Sequence, residues 1–430
     1  MKLNTKRTFF VGLAFMSICA FWQVYDGIIP KILKSTFEVS DTVAGGIMAL
    51  DNVLALFLLP FFGILSDKTH TKIGRRMPYI LIGTSIAVAC LVLIPIADTA
   101  RNFILFFIAL GVILLAMSSY RSPAVALMPD VTPKPLRSKG NAVINLMGAL
   151  GGAMMLGIIK FTVPETDHPN YMPLFVITAV FMAVCVIILF FTVSEPKAVV
   201  AMRKESKALG IDEEPELDSD GVEKKGLPKD VFKSLALIVI TVFFFFMGYN
   251  AVTTAFSKYC EVVWGMKGGS YAGILLIATI ASIVSYIPVG FIASKIGRKN
   301  TILVGLVLLA IAFGSATLFA EFSPAVYFFF CLAGIGYAFI IVNTLVMVVE
   351  MSRGSTIGKY TGYYYTLSMT AQIITPIASG AVLQFVGYQY LFPYAVVFEI
   401  LAFVAMLFVK HGDSRPGAPK NKLEAFDIKD

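Results

Sequence analysis

Residues 63–76 read GILSDKTHTKIGRR, two glycines, an acid and four Lys or Arg side chains set between an apolar run at about 43–66 and another at about 77–97. Residues 290–299 read GFIASKIGRK and hold the same place between runs at about 269–293 and 300–320, 227 residues later. Asp130 and Glu350, each closing a later apolar run, repeat at an offset of 220. A basic loop arising at random would rarely repeat in register with a second feature, so the chain reads as two related halves.

Working outward, apolar stretches long enough to span a bilayer fall at about 8–29, 43–66, 77–97, 102–127, 139–163, 171–193, 231–259, 269–293, 300–320, 324–349, 359–385 and 388–410. The expected fold is an all-α membrane protein of twelve transmembrane helices in two six-helix bundles, residues 1–193 and 231–410. A charged linker, 194–230, carries the acidic run Asp212, Glu213, Glu214, Glu216, Asp218 and Asp220, and a tail follows at 411–430. Composition agrees: of 430 residues 57% are hydrophobic and only 14% charged, against about 25% charged in an ordinary soluble protein. Soluble enzyme folds are excluded.

The net charge of +8 reports topology before it reports a partner. With the N-terminus inside, 27 of the 35 Lys and Arg fall in cytoplasmic segments and only Lys31, Lys34, Arg101 and Lys267 outside. Both termini are therefore expected in the cytoplasm, in the plasma (inner) membrane. Lys2, Lys6 and Arg7 precede an apolar run as in a signal peptide, but no small-residue cleavage site follows, so the run reads as a retained first span. No nucleic-acid patch appears. The five cysteines form no CxxC pair, and His70, His168 and His411 fall in predicted loops. No disulfide framework, metal, cofactor or enzymatic site is expected.

The loop Gly63-x-x-x-Asp67-Lys68 followed by Gly74-Arg75-Arg76 resembles the signature loop of the major facilitator superfamily, with Thr69 to Lys72 as four extra residues. The extra length, with Pro78-Tyr79-Ile80 following, is similar to the glycoside and sucrose cation symporters. So is Arg121-Ser-Pro123-Ala-Val-Ala-Leu127-Met-Pro-Asp130, with Arg137 and Asn141 beyond. The resemblance implies that Gly63, Asp67, Gly74, Arg75, Arg76, Asp130 and Arg137, with Gly290, Gly297 and Arg298 in the second half, act in conformational gating. It also implies that spans 1, 4, 7 and 10 surround a central cavity. Melibiose-type carriers hold their cation with a pair of span 2 carboxylates; here Ala55 and Leu59 stand near Pro60 instead. A proton is thus expected as coupling ion in preference to sodium.

Ionisable groups inside spans mark pathways or pairs, because a charge at mid-bilayer costs a few kcal/mol or more. Asp26, Asp51 and Glu399 are such acids. Trp22 and Gln23, four and three residues before Asp26, share its helix face, and ring, amide and carboxylate together suit a sugar; a helix-end acid beside an interfacial aromatic is the plainer alternative. Arg121 needs a partner, and Asp26 or Asp51 is the natural one, either as a proton-released pair or as a permanent structural pair. Cation coupling is assigned to Asp26, Asp51 and Arg121. The resemblance makes span 12 peripheral, so Glu399 is expected to be satisfied locally. Asn250, Thr253, Thr254 and Ser257 in span 7, and Thr361, Tyr364, Tyr365, Ser368, Gln372 and Thr375 in span 11, form polar stripes that line a cavity or bond neighbouring helices. Tyr337 and Asn343 of span 10 join them. Asn141, Asn145, Gly148 and Gly152 read as a close-packing face.

The substrate contacts expected are Trp22, Gln23, Asp26, Arg121, Asn250, Thr254, Asn343 and Gln372. The reading is a monomeric secondary active transporter importing a glycoside or disaccharide with protons. The alternatives are an exporter or uniporter of another small solute, and a non-transporting sensor or assembly factor on the same fold.

Overall fold

The computed structural model describes residues 4–133, 136–166, 168–208, 229–351 and 357–412. Among them all regular structure is helical. The helices are α1 (Thr5–Ser35), α2 (Asp41–Asp67), α3 (Met77–Leu91), α4 (Leu93–Thr99), α5 (Phe103–Asp130), α6 (Arg137–Thr162) and α7 (Met172–Thr192). They continue with α8 (Glu195–Ala208), α9 (Lys229–Val262), α10 (Ala272–Ile296), α11 (Arg298–Ala316), α12 (Ala325–Met351), α13 (Ile357–Phe385) and α14 (Leu391–Leu407). Among the described residues twelve stretches are long and apolar enough to cross a membrane, with α3 and α4 forming one of them, Met77–Thr99. The protein is an integral membrane protein. In hydrocarbon each peptide group must find its partner within its own helix or barrel, and these runs, free of turn clusters, can do so only as helices. Starts are set by side chains: Asn4 Oδ1 accepts from the Arg7 N–H at 3.1 Å and Asn102 Oδ1 from that of Leu105 at 3.0 Å.

Two compact units emerge. The first draws on Met1–Glu38, Leu50–Pro215 and Lys267–Gly273, and the second on Val39–Ala49, Glu216–Met266 and Ile274–Asp430. The charged segment 194–230 opens with α8, and its acidic run at 212–220 lies outside the described residues.

Within the first unit α1 lies along α6, and glycine permits the approach. A side chain at Gly151 would collide with the Met16 carbonyl, and one at Gly148 with Phe15 and Cys19. Gly152 sits more loosely, 3.7 Å from Gln23 Oε1, and Asn141 and Asn145 are exposed. The close-packing face is thus narrower than the sequence implies, because only a residue aimed straight at α1 needs to be small. Tyr120 of α5 crosses to α1, where its hydroxyl meets Ser17 Oγ and donates to the Ala14 carbonyl at 2.7 Å.

In the second unit Gly305 of α11 and Gly336 of α12 face each other, each placing a carbonyl 2.7 Å from where the other's side chain would begin. Trp264 anchors an aromatic core with Phe256, Tyr259 and Phe392 and donates from Nε1 to the Phe319 carbonyl at 2.9 Å.

These contacts make a sharp expectation for α6. Gly151→Val should lower stability by about 1–3 kcal/mol, seen as a lower thermal unfolding midpoint in detergent. Gly157→Ala on the same helix, where open space surrounds the glycine, should leave it unchanged or slightly raised.

Candidate functional site

The loop at 63–76 closes on one acid. Asp130, at the C-terminal end of α5, accepts from Arg75 Nη2 at 2.5 Å and Nε at 3.2 Å, and from Arg76 Nε at 2.8 Å. Arg76 is buried; its remaining donors reach Asp67, Ser66 Oγ and the Gly63 carbonyl. Buried guanidinium and carboxylate groups with their hydrogen bonds satisfied form a stable cross-link; removing one member would strand the others. Arg75 and Asp67, at 3.9 Å and both partly exposed, add little.

A second acid completes this cluster. Glu195, 2% exposed at the start of α8, accepts the backbone N–H groups of Arg75 (2.8 Å), Arg76 (3.1 Å) and Met77 (2.9 Å). It therefore caps α3, supplying negative charge where the helix presents unpaired donors. Gly74, with φ +119°, lies against it, and any side chain there would strike the Glu195 carboxylate. Sequence reading assigned Glu195 to the linker; the signal was Ser194-Glu195-Pro196 directly after an apolar run, an acid and a proline at a helix start.

Arg137 stands apart, donating to the Thr132 carbonyl at 3.3 Å. In the second half Gly297 takes φ +88° immediately before α11, Arg298 is buried, and Lys299 Nζ donates to the carbonyls of Leu407 (2.9 Å) and Val409 (2.6 Å). Gly290 lies within α10. The side chain of Glu350, counterpart of Asp130, is outside the described residues.

In the first unit α1, α2 and α5 bring together Trp22, Asp26, Asp51 and Arg121. Asp26 and Asp51 are half-buried and close enough to act on each other electrostatically, and Arg121 acts on Asp51. Arg121 forms no ion pair among the described residues, which corrects the expected pairing with Asp26 or Asp51. Its guanidinium lies over the Trp22 ring, 5.8 Å from the centroid, where the electron-rich π face attracts a cation. Trp22 Nε1 is buried without a partner, and Asp51 accepts from Asn52 Nδ2 at 2.8 Å. Gln23 lies beside Gly152.

The polar stripes of the second unit divide. Asn250 leaves Nδ2 buried and unpartnered, while its carbonyl accepts from Thr253 at 3.2 Å and Thr254 at 2.7 Å. Asn343 is fully buried, donating to the Phe339 carbonyl at 2.8 Å with Oδ1 unpartnered. Gln372 stays on its own helix, reaching Ser368. Tyr364 bonds Thr344 at 3.3 Å and Thr375 bonds the Ala371 carbonyl at 2.6 Å, so that part of the span 11 stripe serves packing. The side chain of Thr361 lies outside the described residues. Tyr249 and Tyr337 stack at 4.6 Å. A buried ion pair also went unread: Lys258 Nζ to Asp41 Oδ1 at 3.0 Å, with the Tyr388 hydroxyl donating to the same oxygen at 2.7 Å.

Glu399 corrects another expectation. It is fully buried and neither carboxyl oxygen has a hydrogen-bond partner, because the α9 face it meets offers Gly248, which has no side chain to donate.

A profile of the Major Facilitator Superfamily matches residues 11–285 and 264–428. The chain belongs to the major facilitator superfamily. It is 23% identical over 287 residues to the isoprimeverose transporter of Lactiplantibacillus pentosus, covering 63% of this chain and 56% of that protein. It is 29% identical over 138 residues to the sucrose transport protein SUC3 of Arabidopsis thaliana, covering 28% and 23%. The chain thus spans about half the length of the first relative and a quarter of the second. Both are in keeping with the sugar and cation symporter branch that the 63–76 loop resembles. The fold matches a crystal structure of the nucleoside transporter NupG with a TM-score of 0.68 at 15% identity, covering 95% of this chain and all of that one.

Glu195→Ala should strand three N–H groups at the start of α3 and cost about 1–3 kcal/mol, measured as a fall in thermal midpoint of the purified protein. A midpoint equal to that of the parent would mean that water replaces the cap.

Proposed function

We propose that this superfamily member imports a glycoside or disaccharide together with protons by alternating access. The two six-helix halves, 1–193 and 231–410, move about a site near mid-membrane. The protein acts as a monomer in the plasma membrane, with both termini cytoplasmic.

The observation that carries this reading is the Trp22, Asp26, Asp51 and Arg121 group. Two carboxyl groups within membrane spans sense each other, and neither is locked in an ion pair among the described residues. An acid without a permanent counter-charge can load and release a proton as its surroundings change. Trp22 brings an aromatic face and an unsatisfied indole N–H, a combination that suits a sugar ring with its hydroxyl groups. Gln23, Asn250, Thr254, Asn343 and Gln372 remain the candidate hydroxyl contacts. The sugar-carrying names of the two relatives support the substrate class, and Ala55 and Leu59 in span 2 support a proton in place of sodium. The Arg75, Arg76, Asp67 and Asp130 cross-link, with Arg137 apart from it on the Thr132 carbonyl and Gly290, Gly297 and Arg298 as second-half counterparts, supplies the gating contacts.

One observation favours a second reading. Arg121 has no carboxylate partner among the described residues, which leaves its charge available to a small organic anion carried by uniport or export on the same fold.

In lightly buffered, de-energised cells expressing the protein, adding the right disaccharide or glycoside should alkalinise the medium, and a protonophore should abolish the signal. Asp51→Asn and Asp26→Asn should each remove the proton signal; unchanged coupled uptake in both would sink the proposal. A flat trace across a sugar panel, with Arg121-dependent uptake of a labelled carboxylate, would establish the second reading.

A further inference from the structure

Glu399 has no role in the mechanism above, yet its surroundings are the most demanding of any acid in the described spans. It sits mid-way along α14 with no exposed surface, and both carboxyl oxygens lack a partner. Across the helix contact lies Gly248 of α9, where an added side chain would begin 2.9 Å from Glu399 Oε1 and 2.9 Å from the Ala395 carbonyl. The glycine leaves room for the carboxyl group and gives it nothing to bond.

The elements packed on α14 bring no counter-charge to this level. The charged residues of α11 are Arg298 and Lys299, and Lys299 engages the carbonyl of Leu407, eight residues and about 12 Å along the axis from Glu399. The one charge in the sequence of α13 is Lys359, near its first residue. The tyrosines Tyr388 and Tyr390 precede α14, where Tyr388 is bonded to Asp41. From α9 comes Tyr249, the titratable group on which the charge of Glu399 acts; Tyr286 of α10 acts on the same tyrosine. Unlike the enclosed acid, Tyr249 is only half-buried, and it stacks on Tyr337 at 4.6 Å.

An ionised carboxylate with neither hydrogen bond nor cation cannot be retained in such a place, whereas a carboxylic acid can. We infer that Glu399 is a proton-binding site of the second unit, separate from Asp26 and Asp51. The ligand is a proton held by an enclosed carboxyl group. The inference concerns binding and stands whether or not transport proves proton-coupled.

Infrared spectroscopy of the purified full chain in lipid at neutral pH, parent against Glu399→Gln, tests it directly. The parent should show a protonated-carboxyl C=O stretch that shifts in D2O and is lost in Glu399→Gln. No band lost would overturn the inference. Should Glu399→Gln fail to fold, isotope labelling of glutamate carboxyl groups in the parent protein gives the decision, since a protonated band that shifts with the label must appear and its absence would overturn the inference. Proton-coupled uptake measured alongside separates the two ideas: a band present with no coupling ends the symport reading and leaves this site in place.

Discussion

Everything in this protein follows from the exclusion of water from its spans. A peptide group in hydrocarbon that lacks a partner costs several kcal/mol, so the chain adopts helices wherever it crosses and confines irregular backbone to the connections. That constraint also gives polar side chains their meaning. In a soluble protein an extra glutamate or arginine is usually solvated and silent; within these helices each one must bond to its own backbone, meet a partner, or stand out as unmet. Serine and threonine hydroxyls mostly take the first course, as at Thr254 and Thr375. Lys258 and Asp41 take the second. Trp22 Nε1, Asn250 Nδ2, Asn343 Oδ1 and both oxygens of Glu399 are unmet, and these are the positions at which a transported solute or ion would have something to gain.

Much of the fold was legible because its signals are one-dimensional. Apolar length announces spans, and the recurrence of the Gly63 to Arg76 pattern at Gly290 to Lys299 announces two halves. The Asp130 cross-link was legible only through the family resemblance, which set Asp130, Arg75 and Arg76 together as gating residues without naming their bonds. What the sequence hid depends on rotation and tilt of each helix. Arg121 was matched to an acid because charge invites charge, but the direction in which its helix presents it sets the guanidinium over the Trp22 face without an ion pair among the described residues. Glu399 was taken as satisfied because nothing in a linear pattern reveals that the residue opposite is a glycine. Glu195 was lost inside a charged segment that reads as linker, although its neighbours carry the marks of a helix start.

Close approach and polar bonding divide the labour of holding helices together. Lipid tails are as apolar as leucine, so apolar contact alone gives little reason for one helix to prefer another over lipid. Small residues supply that reason through shape, as where Gly305 and Gly336 meet backbone to backbone or Gly151 meets the Met16 carbonyl. Polar groups supply it where the backbones stand further apart, as with Tyr120 reaching Ser17 and Ala14.

The short helix α8 has a mechanical consequence. Its first residue holds the start of α3 through Glu195, and ten residues on Glu205 holds Arg7 of α1 at 3.1 Å. Fourteen residues of helix make a rod about 21 Å long, pinned near both ends to different spans of the first unit. Such a rod is a strut. A load on this helix would be felt at the start of α3, beside the Arg75–Asp130 cross-link, and at the first span together, so two separate spans of the first unit answer to one short element.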